Sequence, residues 1–277
     1  MTNLRVTLLG TGSPIPDPNR AGPSSLVQSD GTSILVDAGR GVVMRLAAAG
    51  VAAPMLDAVL LTHLHSDHCC ALNDVVTTAW VTSPVAKPQV VYGPPGTQAV
   101  VDGMLAMLET DMAYRIAHHD DLNAPPEIVV HEVEPGATFT VGELTVTVGQ
   151  TDHKPVEPTV GYRTEDAGKV VVMGGDGVAC DGLDALCAGA DVYVQTVVRE
   201  DLIRPIGYQR FTDILDYHST VESAAQTAAR AGVRKFVMTH MVPAPAPGSE
   251  DEWRNLAAGH FDGEVVLGED GLVVNAD

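Results

Sequence analysis

The chain has 277 residues, 45% of them hydrophobic, with 36 acidic against 16 basic side chains and a formal net charge of −20 at pH 7. That length supports one large core or two small domains, and four cysteines (Cys69, Cys70, Cys180, Cys187) exclude a dense disulfide framework. Polyanion binders gather Lys and Arg into patches, yet only Lys87 and Arg115 lie between Arg45 and Lys154, which weighs against a long nucleic acid as partner.

In chain order, Leu4 to Leu9 reads as a first strand stopped by Gly10-Thr11-Gly12, and four prolines forbid regular structure from Ser13 to Pro23. Ser25 to Gln28 and Ser33 to Val36 read as a hairpin turning at Asp30-Gly31. An Ala-rich helix ends near Gly50, and Ala58 to Leu61 forms a short buried strand. Helices are expected over Ala71 to Val81 and Gly96 to Leu108, around a strand at Gln89 to Tyr92. Residues 127 to 150 alternate as strand and turn, and strands follow at Val160 to Arg163, Lys169 to Val172 and Asp191 to Val194. Helices at Ser219 to Ala231 and Glu250 to Ala258 precede a closing hairpin of Glu264 to Leu267 and Leu272 to Val274. No linker or repeat divides the chain, so one folding unit over 1–277 is expected. No stretch reaches the length of a membrane span, and Met1-Thr2-Asn3-Leu4-Arg5 has no basic leader, so the cytoplasm is the expected setting.

The chemistry concentrates in Thr62-His63-Leu64-His65-Ser66-Asp67-His68, placed straight after the Ala58 strand. Strand carboxyl ends are where α/β folds expose reactive groups. Four metal-competent side chains in six residues are costly to bury without a partner, and imidazole with carboxylate suits zinc, and also iron, manganese or nickel. Three further polar residues each close a short apolar strand: His153, Asp176 and His240.

This pattern resembles the signature of the metallo-β-lactamase fold superfamily. The resemblance implies an α/β four-layer αβ/βα sandwich and two divalent metal ions, zinc first, with manganese or iron as alternatives. It implies that His63, His65 and His153 hold one metal, that Asp67, His68 and His240 hold the other, and that Asp176 bridges. Asp67 would also orient a metal-bridging hydroxide, the nucleophile, which ionises near neutral pH. His65, where a Glu would otherwise stand, argues against the di-iron oxidoreductase branch. Asp37 reads equally as a buttress of the metal loop or as a turn-capping residue.

Within the superfamily the chain is similar to the ribonuclease Z-like and arylsulfatase-like branch, through Leu9-Gly10-Thr11-Gly12-Ser13-Pro14, Gly161-Tyr162-Arg163 and His218-Ser219-Thr220. In tRNA 3′-processing members the histidine matching His218 assists the leaving oxygen, paired with a Glu. That Glu lies in a His-Glu-Ala-Thr strand, and here Gln195 and Thr196 stand where its His and Glu would be, so His218 is expected to act with another orienting group or alone, or else merely to precede the helix at Ser219. Asp176 is followed by Gly177, where the family usually has Thr. Only 22 residues separate His153 from Asp176, too few for the protruding tRNA-binding arm of many members.

These departures favour a dinuclear metal-dependent hydrolase of a small-molecule ester (phosphodiester, aryl sulfate, lactone or a related carbonyl ester), with Asp67 and His218 as catalytic residues, no membrane and no nucleic acid as partner, and a homodimer as the expected assembly. The alternative is a ribonuclease Z-type tRNA 3′-processing endonuclease; a non-catalytic binding module would not need the full ligand set. Val198 to Tyr217, with Arg199, Arg204, Tyr208, Arg210 and Phe211, reads either as a surface loop or as a basic and aromatic wall beside the leaving group. His118 and His119 are expected in a polar loop, His131 and His260 in structural roles, and Cys69 and Cys70 as small buried residues.

Overall fold

The computed structural model describes residues 3–277; Met1 and Thr2, the first residues of the N-terminal stretch considered above, lie outside them. The first sheet contains β1 (Arg5–Gly10), β2 (Ser24–Ser29), β3 (Thr32–Val36), β4 (Ala58–Leu60), β5 (Gln89–Gly93) and β6 (Ile128–Glu132). The second contains β7 (Thr138–Val141), β8 (Leu144–Gln150), β9 (Val160–Asp166), β10 (Lys169–Met173), β11 (Val192–Val198), β12 (Lys235–Val242) and β13 (Glu264–Leu267), and β14 (Val273–Asn275) returns to the first. Each sheet has seven strands, ordered β14-β1-β2-β3-β4-β5-β6 and β13-β12-β11-β10-β9-β8-β7. The runs β3 to β6 and β10 to β13 pair in parallel, and parallel strands need crossovers, which the helices provide.

Alternation along the strands builds the layers. Val6, Leu8, Ile34, Val36 and Leu60 meet Val146, Val148, Val171, Val194 and Val237 between the sheets. The intervening residues face outward. Leu9, Leu35 and Val59 pack under α1 (Val42–Ala48), α3 (Leu72–Thr82) and α4 (Thr97–His118). Val170, Val172, Tyr193 and Phe236 pack under α5 (Asp181–Cys187), α8 (Val221–Arg230) and α9 (Glu250–Ala258). Both faces of each sheet are therefore covered, as parallel sheets require, and the arrangement is a four-layer αβ/βα sandwich. The halves are stitched next to the site: Tyr162, fully buried on β9, donates its hydroxyl to Leu61 O at 2.7 Å, and Val160 N donates to Thr62 O at 2.9 Å.

The β2–β3 hairpin turns at Asp30 (φ 36°) and Gly31 (φ 93°) as expected. The closing hairpin does not form. β13 joins β12 in the second sheet and β14 joins β1 in the first, because the loop between them is pinned to the exit of β1. Asp270 accepts from Thr11 N, Thr11 Oγ1 and Ala21 N at 2.7–2.9 Å. α4 runs ten residues past the expected Leu108, since the polar Glu109-Thr110-Asp111 step is carried by an Asp111–Arg115 pair (2.8 Å) and the buried Met112. His118 accordingly ends a helix instead of lying in a loop. Val198 to Tyr217 is also no plain loop: it forms α6 (Glu200–Ile203) and α7 (Gln209–Asp213), seated on Val198, Ile203 and Val242. No helix among the described residues is long and apolar enough to cross a membrane.

Candidate metal centre

Every residue of the seven-membered set reaches the same edge of the sandwich. His63 follows β4, Asp67 and His68 lie in the single turn α2 (Ser66–Cys69), His153 follows β8, Asp176 follows β10, and His240 sits in β12. His240 adopts φ 45°, a conformation that costs a non-glycine residue of the order of 1–3 kcal/mol and is held by its surroundings. His63, His153, His68, His240 and Asp176 are all at most 2% exposed.

Two groups form. In one, His63, His65, His153 and Asp176 each bring a donor atom within 4.8 Å of the others, and in the other Asp67, His68 and His240 do the same. His65 Nδ1 lies 3.0 Å from His63 Nε2 and 3.3 Å from His153 Nε2. Ligands bound tetrahedrally at zinc, with Zn–N of about 2.0–2.1 Å, stand roughly 3.3 Å apart, so this spacing fits a first-row cation. Asp176 Oδ2 joins the groups: it is 3.9 and 4.0 Å from His63 and His153 Nε2, and 3.3 and 3.5 Å from His68 and His240 Nε2. His68 Nε2 is buried with no hydrogen-bond partner. An orphaned buried nitrogen facing carboxylates is where a cation fits, as unpaired buried polar atoms are otherwise costly.

The electrostatics agree with that division. Burial lowers His63 well below its ordinary value, helped by the neighbouring His68, and burial takes His153 down to about 4, so both stay neutral, the form of imidazole that can bind a cation. Burial opposes charge on Asp176, yet His240, His68 and His218 hold its carboxyl well below the usual range. Burial likewise opposes charge on His68, but Asp176 and Asp37 raise it well above the ordinary imidazole value, and His240 is raised by Asp176 and Asp67 against the same penalty. The carboxylates call for positive charge here.

The supporting residues explain the orientation. Asp37, in the left-handed region at φ 61°, accepts from Thr62 N (2.8 Å), Thr62 Oγ1 (2.9 Å) and His68 Nδ1 (2.9 Å). Of its two sequence readings, the buttress matches these contacts. Thr62 Oγ1 is also 3.0 Å from His63 Nδ1, and His153 Nδ1 donates to Tyr217 O at 2.8 Å. His218 Nε2 lies 3.2 Å from Asp176 Oδ2, and its Nδ1 is 2.9 Å from Ile214 O. The carbonyl of the 198–217 segment thus takes the place of the missing Glu as the partner of His218.

Thr196 is the residue that sequence reasoning missed. Its hydroxyl donates to Asp176 Oδ1 at 2.6 Å, which leaves Oδ2 for the imidazoles. A Thr at position 177 could not do this: Gly177 has φ 152°, and a Cβ there would lie 2.7 Å from Asp152 O. No local signal could have revealed the contact, because the partners are 20 residues apart. The sequence placed Cys69 and Cys70 as small buried residues; Cys69 is half-buried and Cys70 exposed. His131 stacks on Tyr92 (4.8 Å between centroids) and His260 is near Gln226, both away from the metal set.

Comparison with known proteins matches a beta-lactamase superfamily domain to residues 32–241. Ribonuclease Z of Mycolicibacterium gilvum (strain PYR-GCK) is 54% identical over 269 residues, 96% of this chain and 94% of that protein. Ribonuclease Z of Mycobacterium tuberculosis (strain H37Rv) is 53% identical over 96% of both. Among solved structures, the metallo-beta-lactamase fold protein YhfI from Bacillus subtilis has a TM-score of 0.76 at 24% identity, covering 99% of this chain and 100% of that one. Human tRNase Z, short form, has a TM-score of 0.73 at 24% identity over 99% of both chains.

These relatives overturn the expected partners. A small-molecule substrate with nucleic acid excluded does not agree with a 54% identical relative named ribonuclease Z. The exclusion rested on net charge, which sums the whole surface, while a substrate meets one edge of it. The short interval between His153 and Asp176 was given too much weight as well, since the relatives align over 94–96% of their own length and so are nearly as long as this chain. The chain belongs to the metallo-β-lactamase superfamily, among its ribonuclease Z-like hydrolases.

Proposed function

We propose that this protein is a ribonuclease Z-type endonuclease that hydrolyses the phosphodiester joining the 3′ trailer to precursor tRNA. The observation that carries the reading is 53–55% identity over 96% of the chain with proteins of that name. The complete His/Asp set gives it a chemical basis. In this reading His63, His65 and His153 hold one metal, Asp67, His68 and His240 hold the other, and Asp176 Oδ2 serves both. Two divalent ions, zinc first with manganese or iron as alternatives, would supply Lewis acidity at a phosphoryl oxygen and a water acidic enough to ionise near neutral pH.

The chain's own groups do the rest. Asp67, whose Oδ2 lies 3.2 Å from His240 Nε2, presents a carboxylate beside the reacting centre, where it would orient water. His218, whose Nδ1–H is directed at Ile214 O, turns Nε2 into the site. From Nε2 it can hold the proton that a departing ribose 3′ oxygen requires; such positioned acids contribute about 10²–10⁴-fold. Four free thiols suit a reducing cytoplasm, where precursor tRNA is met, and residues 1–277 act as one unit in this scheme.

The test is a 3′-labelled precursor tRNA with zinc- or manganese-loaded protein. Cleavage at the trailer junction is expected, with two metals per chain by elemental analysis. Intact precursor, under conditions where the same preparation cleaves an aryl phosphodiester, would refute the reading.

A further inference from the structure

Beside the metal set lies a cleft of about 280 Å³, walled on one side by Pro14 and Ile15 of the Pro-rich loop and also by Tyr208, Arg210, Phe211 and Tyr217. His65, Asp67, Asp176 and His218 form its floor, so whatever fills it touches the reacting atoms. Its walls are mainly apolar, which phosphate chemistry does not explain. Tyr208 and Ile15, 51% and 44% exposed, both line this one cleft, so their open faces are available to whatever fills it. The rings of Tyr208 and Phe211 are 5.8 Å apart at 55°. The segment that bears them is held in place, because Phe211, Ile214 and Leu215 pack on Val198, Ile203 and Val242.

Charge on this segment is distributed in a telling way. Arg199 is paired with Asp201 at 2.7 Å and Arg204 with Glu200. Arg210 has no carboxylate within ion-pair distance among the described residues. In a chain of net charge −20, an uncompensated guanidinium on the wall of the active cleft is placed for an anion. An aromatic face for a base and a cation for the backbone are the two components of single-strand recognition.

We infer that Tyr208, Phe211 and Arg210 form a seat for the single-stranded nucleotide flanking the scissile phosphodiester: its base stacks on the aromatic pair and its phosphate meets Arg210. This rests on the proposed RNA substrate and adds to it which residues grip the strand beside the cut. Stacking is tolerant of sequence, since every base offers a π-face. The seat therefore selects for an unpaired nucleotide and not for a particular base.

The experiment uses the zinc-loaded full chain and a precursor stem with a single-stranded trailer, carrying an abasic residue at each flanking position in turn. Tyr208→Ala should raise KM by roughly 5- to 150-fold, the loss expected for one base–aromatic stack, and the loss should fall on KM more than on kcat. Tyr208→Phe should restore it. The abasic substitution at one of the two positions should cost the wild type the same factor and make Tyr208→Ala no worse. Arg210→Ala should weaken binding and reduce the slope of log affinity against log salt by about 0.7–0.9. A readout without turnover is the quenching of 2-aminopurine at the seated position in metal-stripped protein, lost in Tyr208→Ala. Equal KM and equal quenching in wild type and Tyr208→Ala would overturn the seat while leaving the nuclease reading intact. Failure of the wild type itself to cut the precursor marks failure of the nuclease reading.

Discussion

Replacing Asp37 by Asn tests whether the metal site is set by a residue that touches no metal ligand atom directly involved in chelation. The left-handed backbone at φ 61° is tolerated by Asn nearly as well as by Asp, so the exchange does not strain the turn. Asn can still accept from Thr62 N through its carbonyl. Its amide nitrogen then replaces the carboxylate oxygen that receives His68 Nδ1–H at 2.9 Å. Facing a donor, His68 shifts its proton to Nε2, the orphaned nitrogen that lies 3.3 Å from Asp176 Oδ2. A protonated Nε2 cannot bind a cation. Loss of such a supporting partner costs about 10–100-fold in metal affinity, and losing one charge-assisted buried hydrogen bond costs about 1.5–3 kcal/mol of stability in chelator. Asp37→Ala is less informative, because it orphans Thr62 N, Thr62 Oγ1 and His68 Nδ1 together, at about 1–3 kcal/mol each, against a total stability of about 5–15 kcal/mol. Competition with a chromophoric chelator resolves the two binding steps, and denaturant unfolding gives the stability. Wild-type affinity at both sites in Asp37→Asn, or a loss confined to the His63/His65/His153 site, would refute this account.

Asp176→Ala should lose metal and hydrolysis together, since Asp176 Oδ2 is within 4.0 Å of four ligand nitrogens; a fully active variant, or one metal in the loaded wild type, would contradict a shared carboxylate. Thr196→Val keeps the shape but removes the 2.6 Å bond to Asp176 Oδ1, so metal affinity should fall by about 10-fold and the chelator-treated protein should lose about 1.5–3 kcal/mol of stability; calorimetric titration with zinc and denaturant unfolding check the two. His218→Ala should keep both metals and lose about 10²–10⁴-fold on RNA, whose alkoxide leaving group needs a proton, but less on a nitrophenyl phosphodiester. Equal losses on the two substrates would assign His218 a positioning role. Burial pushes the Cys69 thiol up to about 11, so at pH 8 about one part in 10³ is thiolate, against roughly a quarter for an ordinary thiol near 8.5. Because the raised value suppresses thiolate below it, the alkylation rate of Cys69 should climb about tenfold per pH unit from pH 8 towards 11; a plateau above pH 9 in peptide mapping would contradict this.

The His/Asp cluster was legible in the sequence because much of it is written in local terms: His63, His153 and Asp176 each follow an apolar strand, and strand ends are where parallel sheets place polar groups. Mixed α/β was legible from alternation and apolar runs that survive in single strands such as Lys169–Met173, whereas the four-layer sandwich came from the family resemblance. What could not be read depended on partners distant in sequence. β13 and β14 look like a hairpin until Asp270 ties their connection to Thr11, 259 residues away. Thr196 looks like a lost Glu until its hydroxyl meets Asp176. α4 continued past Leu108 because one buried Met112 and one ion pair outweighed a polar step, a decision made by tertiary packing and not by propensity.

The acidity of the chain misled because charge was counted without being located. Acidic first turns belong to α5 (Asp181, Asp184) and α9 (Glu250, Asp251, Glu252), helices in the outer layer of the second sheet, and to α6 beside the cleft, where Asp201 and Glu200 are neutralised by Arg199 and Arg204. Further carboxylates are Asp102, Glu109 and Asp111 on α4, in the outer layer of the first. The basic groups near the cleft are few but close. Arg40 reaches Pro14 O at 3.0 Å beside the rim, and Arg210 stands in the wall. At physiological ionic strength the Debye length is about 8 Å, so carboxylates on the far faces of a four-layer fold barely reach an RNA strand lying across the strand ends. What such a strand would meet there is two guanidinium groups, an aromatic wall and a buried carboxylate pair whose charge bound cations would offset. A nuclease of net charge −20 is therefore physically consistent, provided that its grip comes from stacking and metal contacts more than from a basic surface.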